Sequence, residues 1–232
     1  MTHSDTKVGE DQKPVKLSPP TCPEDWDVLL SLASETWLGE SGRVYKLRRI
    51  GFDTGGMGKA TENAYAFWRK AKRAGLGKLF KPLKGDPRLK SERIKQSAGT
   101  SGKRGTVPLW IVSTDALKDE VSRALQRDDV GDNYIHFPDW LGEWFYKELD
   151  AEERTPQGWR KRGRKIRNEA FDLCAYNLAL AIDEGIERIN WANPPKWIGE
   201  SVAITAAPGV EVTNDAKAKL LARLAKLGRD DV

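Results

Sequence analysis

The 232-residue chain carries only two cysteines, Cys22 and Cys174, and only two histidines, His3 and His136. Their spacing matches no zinc-ligand pattern, which excludes a disulfide framework and a Cys-rich zinc site and argues against a histidine-based metal centre. Long apolar runs are missing as well. The longest, Leu178–Ile182, covers five residues, against the roughly 18–20 needed to cross a bilayer. No charged stretch followed by an apolar one opens the chain, so no secretory signal is expected. With 39% hydrophobic and 31% charged residues, the expectation is a cytoplasmic globular protein without membrane contact, organised as one domain plus tails.

What the chain does have is an uneven charge map. Residues 1–20 hold three acids, three bases and three prolines; too polar to bury a core, they read as a disordered lead-in. Between Arg69 and Lys95 there are eleven Lys or Arg against two acids, Asp86 and Glu92, and Ser97–Gly105 reads as a flexible basic loop. From Asp139 to Glu153 the sign reverses, with six acids and one lysine. It reverses again over Arg160–Arg167, where six of eight residues are cationic. Two basic clusters on a net charge of only +5 point to a polyanion, because each phosphate contact releases counterions. The plainer alternative is a solvated face that keeps the protein soluble.

Apolar periodicity supplies the elements. Helical spacing of Trp26, Leu29, Leu30, Ala33 and Trp37 predicts a helix closed by Gly39, and Val44–Phe52 reads as the first strand. Thr61 opens a helix with Ala64, Phe67 or Trp68, and Ala71 on its inner face, ended by Gly75. Leu79–Leu83, Val107–Val112 and Tyr134–Phe137 read as strands. Ser113 or Thr114 caps a helix running to about Gln126, and an acidic helix follows Pro138. The strongest helix is about Asn168–Arg188, and the tail 201–232 contains an amphipathic helix, about Asn214–Leu227. Strands alternating with helices give a mixed α/β domain over residues 21–200.

Two acids sit in unusual places. Asp53 ends an apolar strand just before Gly55 and Gly56, where α/β sheets place ligand-binding groups; an Asx-type turn explains the same string. Asp172 borders a helix face that is otherwise small and apolar, with Ala175, Tyr176 and Ala179. A carboxylate there needs a metal, an arginine or another donor; the alternative is a first-turn acid favoured by the helix dipole, a role Glu169 fits better. If Asp53 and Asp172 converge, Mg²⁺ or Mn²⁺ binding and phosphodiester hydrolysis are the chemistry that fits. Phe52-Asp53-Thr54-Gly55 also matches an aspartic-protease signature, but that enzyme needs an all-β dimeric fold, and the helix-rich remainder opposes it.

The ordered set Trp26, Phe52-Asp53-Thr54-Gly55-Gly56, Lys84-Gly85, Leu117-Lys118-Asp119, Tyr134–Pro138, Glu152-Glu153-Arg154, Gly158-Trp159 and Arg167–Asp172 with Tyr176 resembles the nuclease domain of the large terminase subunit of lambda-like tailed phages. The resemblance implies a ribonuclease H-like mixed sheet flanked by helices. It also implies metal-dependent cleavage of concatemeric double-stranded viral DNA in the host cytoplasm, with a small terminase subunit and a portal as partners. It places Asp53 and Asp172 as catalytic, metal-binding acids with Glu169 beside them. Lys84 and Lys118 would lie near the DNA, and Trp159, Arg164 and Arg167 would brace its backbone.

Two departures qualify the likeness. No G-x-x-x-x-G-K-[ST] motif of a packaging motor is present; in Asp53–Thr61 an Asp and an Ala occupy the required Gly and Ser/Thr positions. Nothing strand-like precedes Trp26, so the family's first strand and its aspartate are expected to be absent, leaving an N-terminally shortened fold with exposed sheet edges. The alternative function is therefore a non-catalytic DNA-binding or assembly remnant of a prophage terminase.

Overall fold

The computed structural model describes residues 6–8, 14–16, 18, 21–38, 44–56, 59–100 and 106–199. In chain order, β1 (Thr6–Val8) pairs antiparallel with β2 (Pro14–Lys16). A 3₁₀ turn at Pro23–Asp27 leads into α1 (Val28–Leu32), and β3 (Thr36–Leu38) and β4 (Val44–Lys46) form a two-stranded sheet of their own. Then come β5 (Ile50–Asp53), α2 (Ala60–Arg73), β6 (Phe80–Gly85), β7 (Ile94–Thr100), β8 (Val107–Val112) and α3 (Thr114–Leu125). After α4 (Glu143–Leu149), the hairpin of β9 (Glu152–Thr155) and β10 (Gly158–Lys161) precedes α5 (Glu169–Asp183) and the short α6 (Lys196–Gly199). The chain divides into two compact units, Met1–Glu35 with Lys46–Gly199 and Thr36–Tyr45 with Glu200–Val232. The tail helix expected at about Asn214–Leu227 lies outside the described residues.

The first unit is built on a four-stranded mixed sheet of order β5-β6-β8-β7, in which only β7 runs antiparallel to its neighbour. Side-chain alternation divides its faces. Ile50, Phe52, Phe80 and Val107 pack with Ala64, Phe67, Trp68 and Ala71 of α2 and with Trp26. Leu83, Trp110 and Val112 pack on the other face with Leu117 of α3 and Ala175, Ala179 and Leu180 of α5. Phe67 is the hub of the first cluster, edge-on to Phe52 and Phe80 at 5.4 and 5.1 Å and stacked on Trp26 at 5.7 Å. Each fully buried aromatic side chain of this kind contributes about 1.5–3 kcal/mol.

Local chemistry ends the elements. Gly75 stops α2 at φ +78°, with the amides of Gly75 and Leu76 donating back to the carbonyls of Lys72 and Ala71 at 3.0 and 2.9 Å, a Schellman closure that favours glycine. Gly51 serves a different purpose. A Cβ there would stand 2.7 Å from Leu83 Cδ1 and 2.9 Å from Leu180 Cδ1, so its absence lets α5 sit down on β5.

Several expectations need correction. Within the stretch expected to be disordered, β1 and β2 pair, helped by the extended-backbone preference of Thr6, Val8 and Val15. Trp37 lies in β3 and not on a helix, and Val44–Phe52 splits into β4 and β5 at Leu47–Arg49. Part of the expected basic loop is the strand β7; residues 101–105 lie outside the described ones. Tyr134–Phe137 is not a strand, and α5 ends at Asp183, with Gly185 at φ +79° preceding a 3₁₀ turn at Ile186–Arg188. Among the described residues, no helix is long and apolar enough to cross a membrane, and no strand before β5 joins the main sheet.

The Gly51 contact makes a measurable claim. Gly51→Ala is expected to lower stability by about 1–3 kcal/mol through overpacking, read as a lower urea midpoint. Gly131→Ala, at a position with nothing within 4 Å, should leave that midpoint nearly unchanged.

Candidate active site

Ile50 and Phe52 face α2, so the strand pleat sends Gly51 and Asp53 toward α5. Asp53 thus ends β5 exposed on the α5 side of the sheet's carboxyl edge. Its Oδ1 accepts the Gly55 amide at 2.8 Å, so the Asx turn exists, and one carboxylate serves as both turn former and edge acid. Thr54 is buried behind it. Its hydroxyl donates to the Leu83 carbonyl at 2.8 Å, and its own carbonyl accepts from Thr61 Oγ1 at 2.7 Å. These bonds fix the strand end to β6 and to the start of α2.

Asp172 is held by a buried polar network. Lys118 Nζ lies 2.6 Å from Asp172 Oδ1 and 2.8 Å from Glu152 Oε2. The Lys118 and Glu152 side chains are only 7% and 5% exposed. Asn168 donates its amide to Asp172 Oδ2 at 3.0 Å and to Glu152 Oε1. Asn168 stands at the N-cap of α5 but makes no capping bond with its side chain. Glu148 takes over that work, accepting the Ala170 amide at 3.0 Å, and Arg167 Nε lies 3.3 Å from the other Glu148 oxygen. An acid at a helix N-terminus is favoured by the dipole and by the free amides.

Tyr176, one turn along α5, brings the two halves together. A Cβ on Gly85 would stand 3.2 Å from the Tyr176 hydroxyl and 2.8 Å from Thr114 Cγ2, so glycine at the end of β6 leaves room for both. Burial raises the phenol above its ordinary value, and the negative charges of Asp53, Asp172 and Glu169 raise it further. Three carboxylates from β5 and α5 therefore act on one hydroxyl. Asp172's own carboxyl is raised by burial against the pull of Lys118, with Glu152 and Glu169 adding to the rise.

Residues 11–191 match the family model of the terminase large subunit gpA, endonuclease domain. The chain belongs to this family. No curated protein and no solved structure matches it. The family's endonuclease description gives the carboxylate corner its setting.

Seen as a member of the terminase family, the chain distributes its expected cations unevenly. Lys84 and Arg164 are exposed, and no ion pair engages either among the described residues. Lys118, expected near DNA, is buried in the network above. Trp159, expected to brace a backbone, donates its indole N–H to Asp119 Oδ1 at 2.8 Å and sets its ring edge-on to Phe171 at 4.9 Å. Arg167 is paired with Glu148. The motifs Lys118-Asp119 and Glu152-Glu153-Arg154 belong together for a plain reason: Lys118 pairs with Glu152, while Asp119 accepts from Arg154 Nε at 2.8 Å. This crossed charge pair fastens the hairpin to α3. Glu152, Asn168, Glu148 and Tyr176 received no role from sequence; the only signal for Glu152, Asn168 and Tyr176 was their place in the ordered motif set, and Glu148 had none beyond its acidic stretch.

Terminase endonuclease domains imply divalent-metal use, and Asp53, Glu169 and Asp172 offer the hard oxygens that Mg²⁺ and Mn²⁺ prefer. The arrangement itself does not fit an ion. Among the described residues, no group of three or more His, Cys, Asp or Glu side chains is placed to hold one, and both Asp172 oxygens are taken by Lys118 and Asn168.

Removing Lys118 as Lys118→Ala strands Glu152 as a buried unpaired carboxylate and should cost about 3–5 kcal/mol. Asp172→Asn keeps the Lys118–Glu152 pair and should change stability by no more than about 1 kcal/mol at neutral pH. Because the Asp172 carboxyl is raised above its ordinary 3.8, its ionisation costs the folded state stability as pH rises through that window. Asp172→Asn should therefore gain on the parent from roughly pH 4 upward. Urea midpoints across that range check both statements.

Proposed function

We propose that this chain is a metal-dependent endonuclease module of a phage DNA-packaging terminase, cutting concatemeric double-stranded viral DNA on a ribonuclease H-like fold. The observation that carries the proposal is the match of residues 11–191 to the terminase endonuclease family, in a chain that exposes Asp53 at the carboxyl end of β5 and leaves Asp172 of α5 partly exposed. Asp53 and Asp172 are the catalytic acids of this reading, and Asp53, Glu169 and Asp172 are its metal-binding acids for Mg²⁺ or Mn²⁺, which requires Asp172 to be released from Lys118 and Asn168. Exposed cations hold the DNA backbone: Lys84 near the end of β6, and Arg160, Lys161, Arg164 and Lys165 around the end of β10. They position the duplex through phosphate contacts and read no sequence. A small terminase subunit and a portal in the host cytoplasm complete the proposal. Residues 21–200 form its nuclease domain, with 1–20 and 201–232 as flanking segments.

A second reading, a non-catalytic DNA-binding or assembly module, draws support from the two engaged oxygens of Asp172. Linear duplex DNA incubated with Mn²⁺ or Mg²⁺ separates the two. The nuclease reading expects cleavage that falls at least about a hundredfold in Asp53→Ala and Asp172→Ala. Cleavage indifferent to both substitutions sinks the site assignment. No cleavage with DNA binding that weakens steeply with salt supports the second reading.

A further inference from the structure

A lysine buried against two carboxylates is costly to place and therefore informative. Lys118 Nζ touches Glu152 and Asp172 at 2.8 and 2.6 Å and lies 5.2 Å from the centroid of the Phe171 ring, which covers it. Asn168 holds the second oxygen of each acid. The Asp172 side chain is nevertheless 35% exposed. The ammonium therefore already fills the place at Asp172 that the nuclease reading gives to a metal ion, and it repels any second cation that approaches the same carboxylate.

Resting on the nuclease reading for the identity of the acids, we infer that Lys118 is the resident counter-cation of Asp172 and that a divalent ion reaches this carboxylate only by displacing it. The charge count gives the direction. Lys118, Glu152 and Asp172 together carry −1, so an added divalent ion leaves +1 in a half-buried site. With a neutral side chain at 118 the acids carry −2, and the same ion brings the group to zero. Removing a positive charge from contact distance must tighten cation binding. Glu152 anchors Lys118 from the far side, so it acts on Asp172 through the lysine and is a positioning residue.

The test is Mn²⁺ binding by the full chain, measured by electron paramagnetic resonance of the free ion and independent of cleavage. Lys118→Met should bind Mn²⁺ about tenfold tighter or more than the parent, and adding Asp172→Asn to that variant should remove the gain. Lys118→Arg, which keeps the charge, should stay as weak as the parent. Affinity in Lys118→Met equal to or below that of the parent overturns the inference and makes Lys118 a support that holds Asp172 for the ion. The parent provides a second measurement that needs no variant to fold. Mn²⁺ should expose the Lys118 amine to acetylation, quantified by mass spectrometry; unchanged or lower labelling also overturns the inference. Tighter Mn²⁺ binding without cleavage would fail the nuclease reading alone, and cleavage with unchanged affinity would fail this inference alone.

Discussion

The ammonium of Lys118 is the point on which three elements depend. It projects from α3 and meets Glu152 of β9 on one side and Asp172 of α5 on the other. Burying one cation between two acids is tolerable because the carboxylate oxygens that Lys118 leaves over find another donor. Asn168 supplies the missing donors, and in doing so gives up the capping role its position invites. Glu148 then becomes the cap, and Arg167 balances Glu148. A single buried charge thus dictates the chemistry of the whole N-terminal turn of α5.

The other end of α5 is fastened by charge pairs that are themselves partly buried. Asp183 accepts the Trp110 indole N–H at 3.0 Å and pairs with Lys81, whose ammonium also lies 4.0 Å from the Trp110 ring centroid. Glu184 pairs with Arg48 and Arg49. Beyond the helix, Glu187 and Glu120 share Arg93, which holds Glu187 below its ordinary carboxyl value. Acids at a helix C-terminus oppose the dipole; here the cations of the sheet and its approaches offset that cost. Between these two fastenings, Leu180 settles over Gly51, and the helix is held along its length.

The parts legible in the sequence were those governed by hydrophobic periodicity. The inner face of α2, its stop at Gly75, the strand ending in Asp53 and the long helix bearing Asp172 all follow from apolar spacing and backbone preference. What escaped was built from polar contacts. The strand β7 reads IKQSAGT, with no alternation to mark it as a sheet edge. The hairpin of β9 and β10 has only Trp159 as a large apolar residue, because charge pairs fasten it where a core strand would use side-chain volume. Lys118 was expected near the DNA by resemblance alone; tertiary packing shows that it is buried against two acids. Asp172 was singled out correctly as a carboxylate needing a partner, and that partner turned out to be a lysine 54 positions earlier in the chain.

The hairpin's manner of attachment sets the order in which it loosens. Its outer fastenings, Asp119 with Arg154 and Arg162 with Asp150 and Glu153, are half-exposed and weaken as salt rises. Its inner fastening, Lys118 with Glu152, is shielded and does not. Fraying at the outer pairs leaves the Lys118–Glu152 pair closed, so added salt loosens the rim of the hairpin before its root. Asp172, whose side chain is 35% exposed, meets solvent on one side throughout; what the ribbon guards is the lysine on its other side.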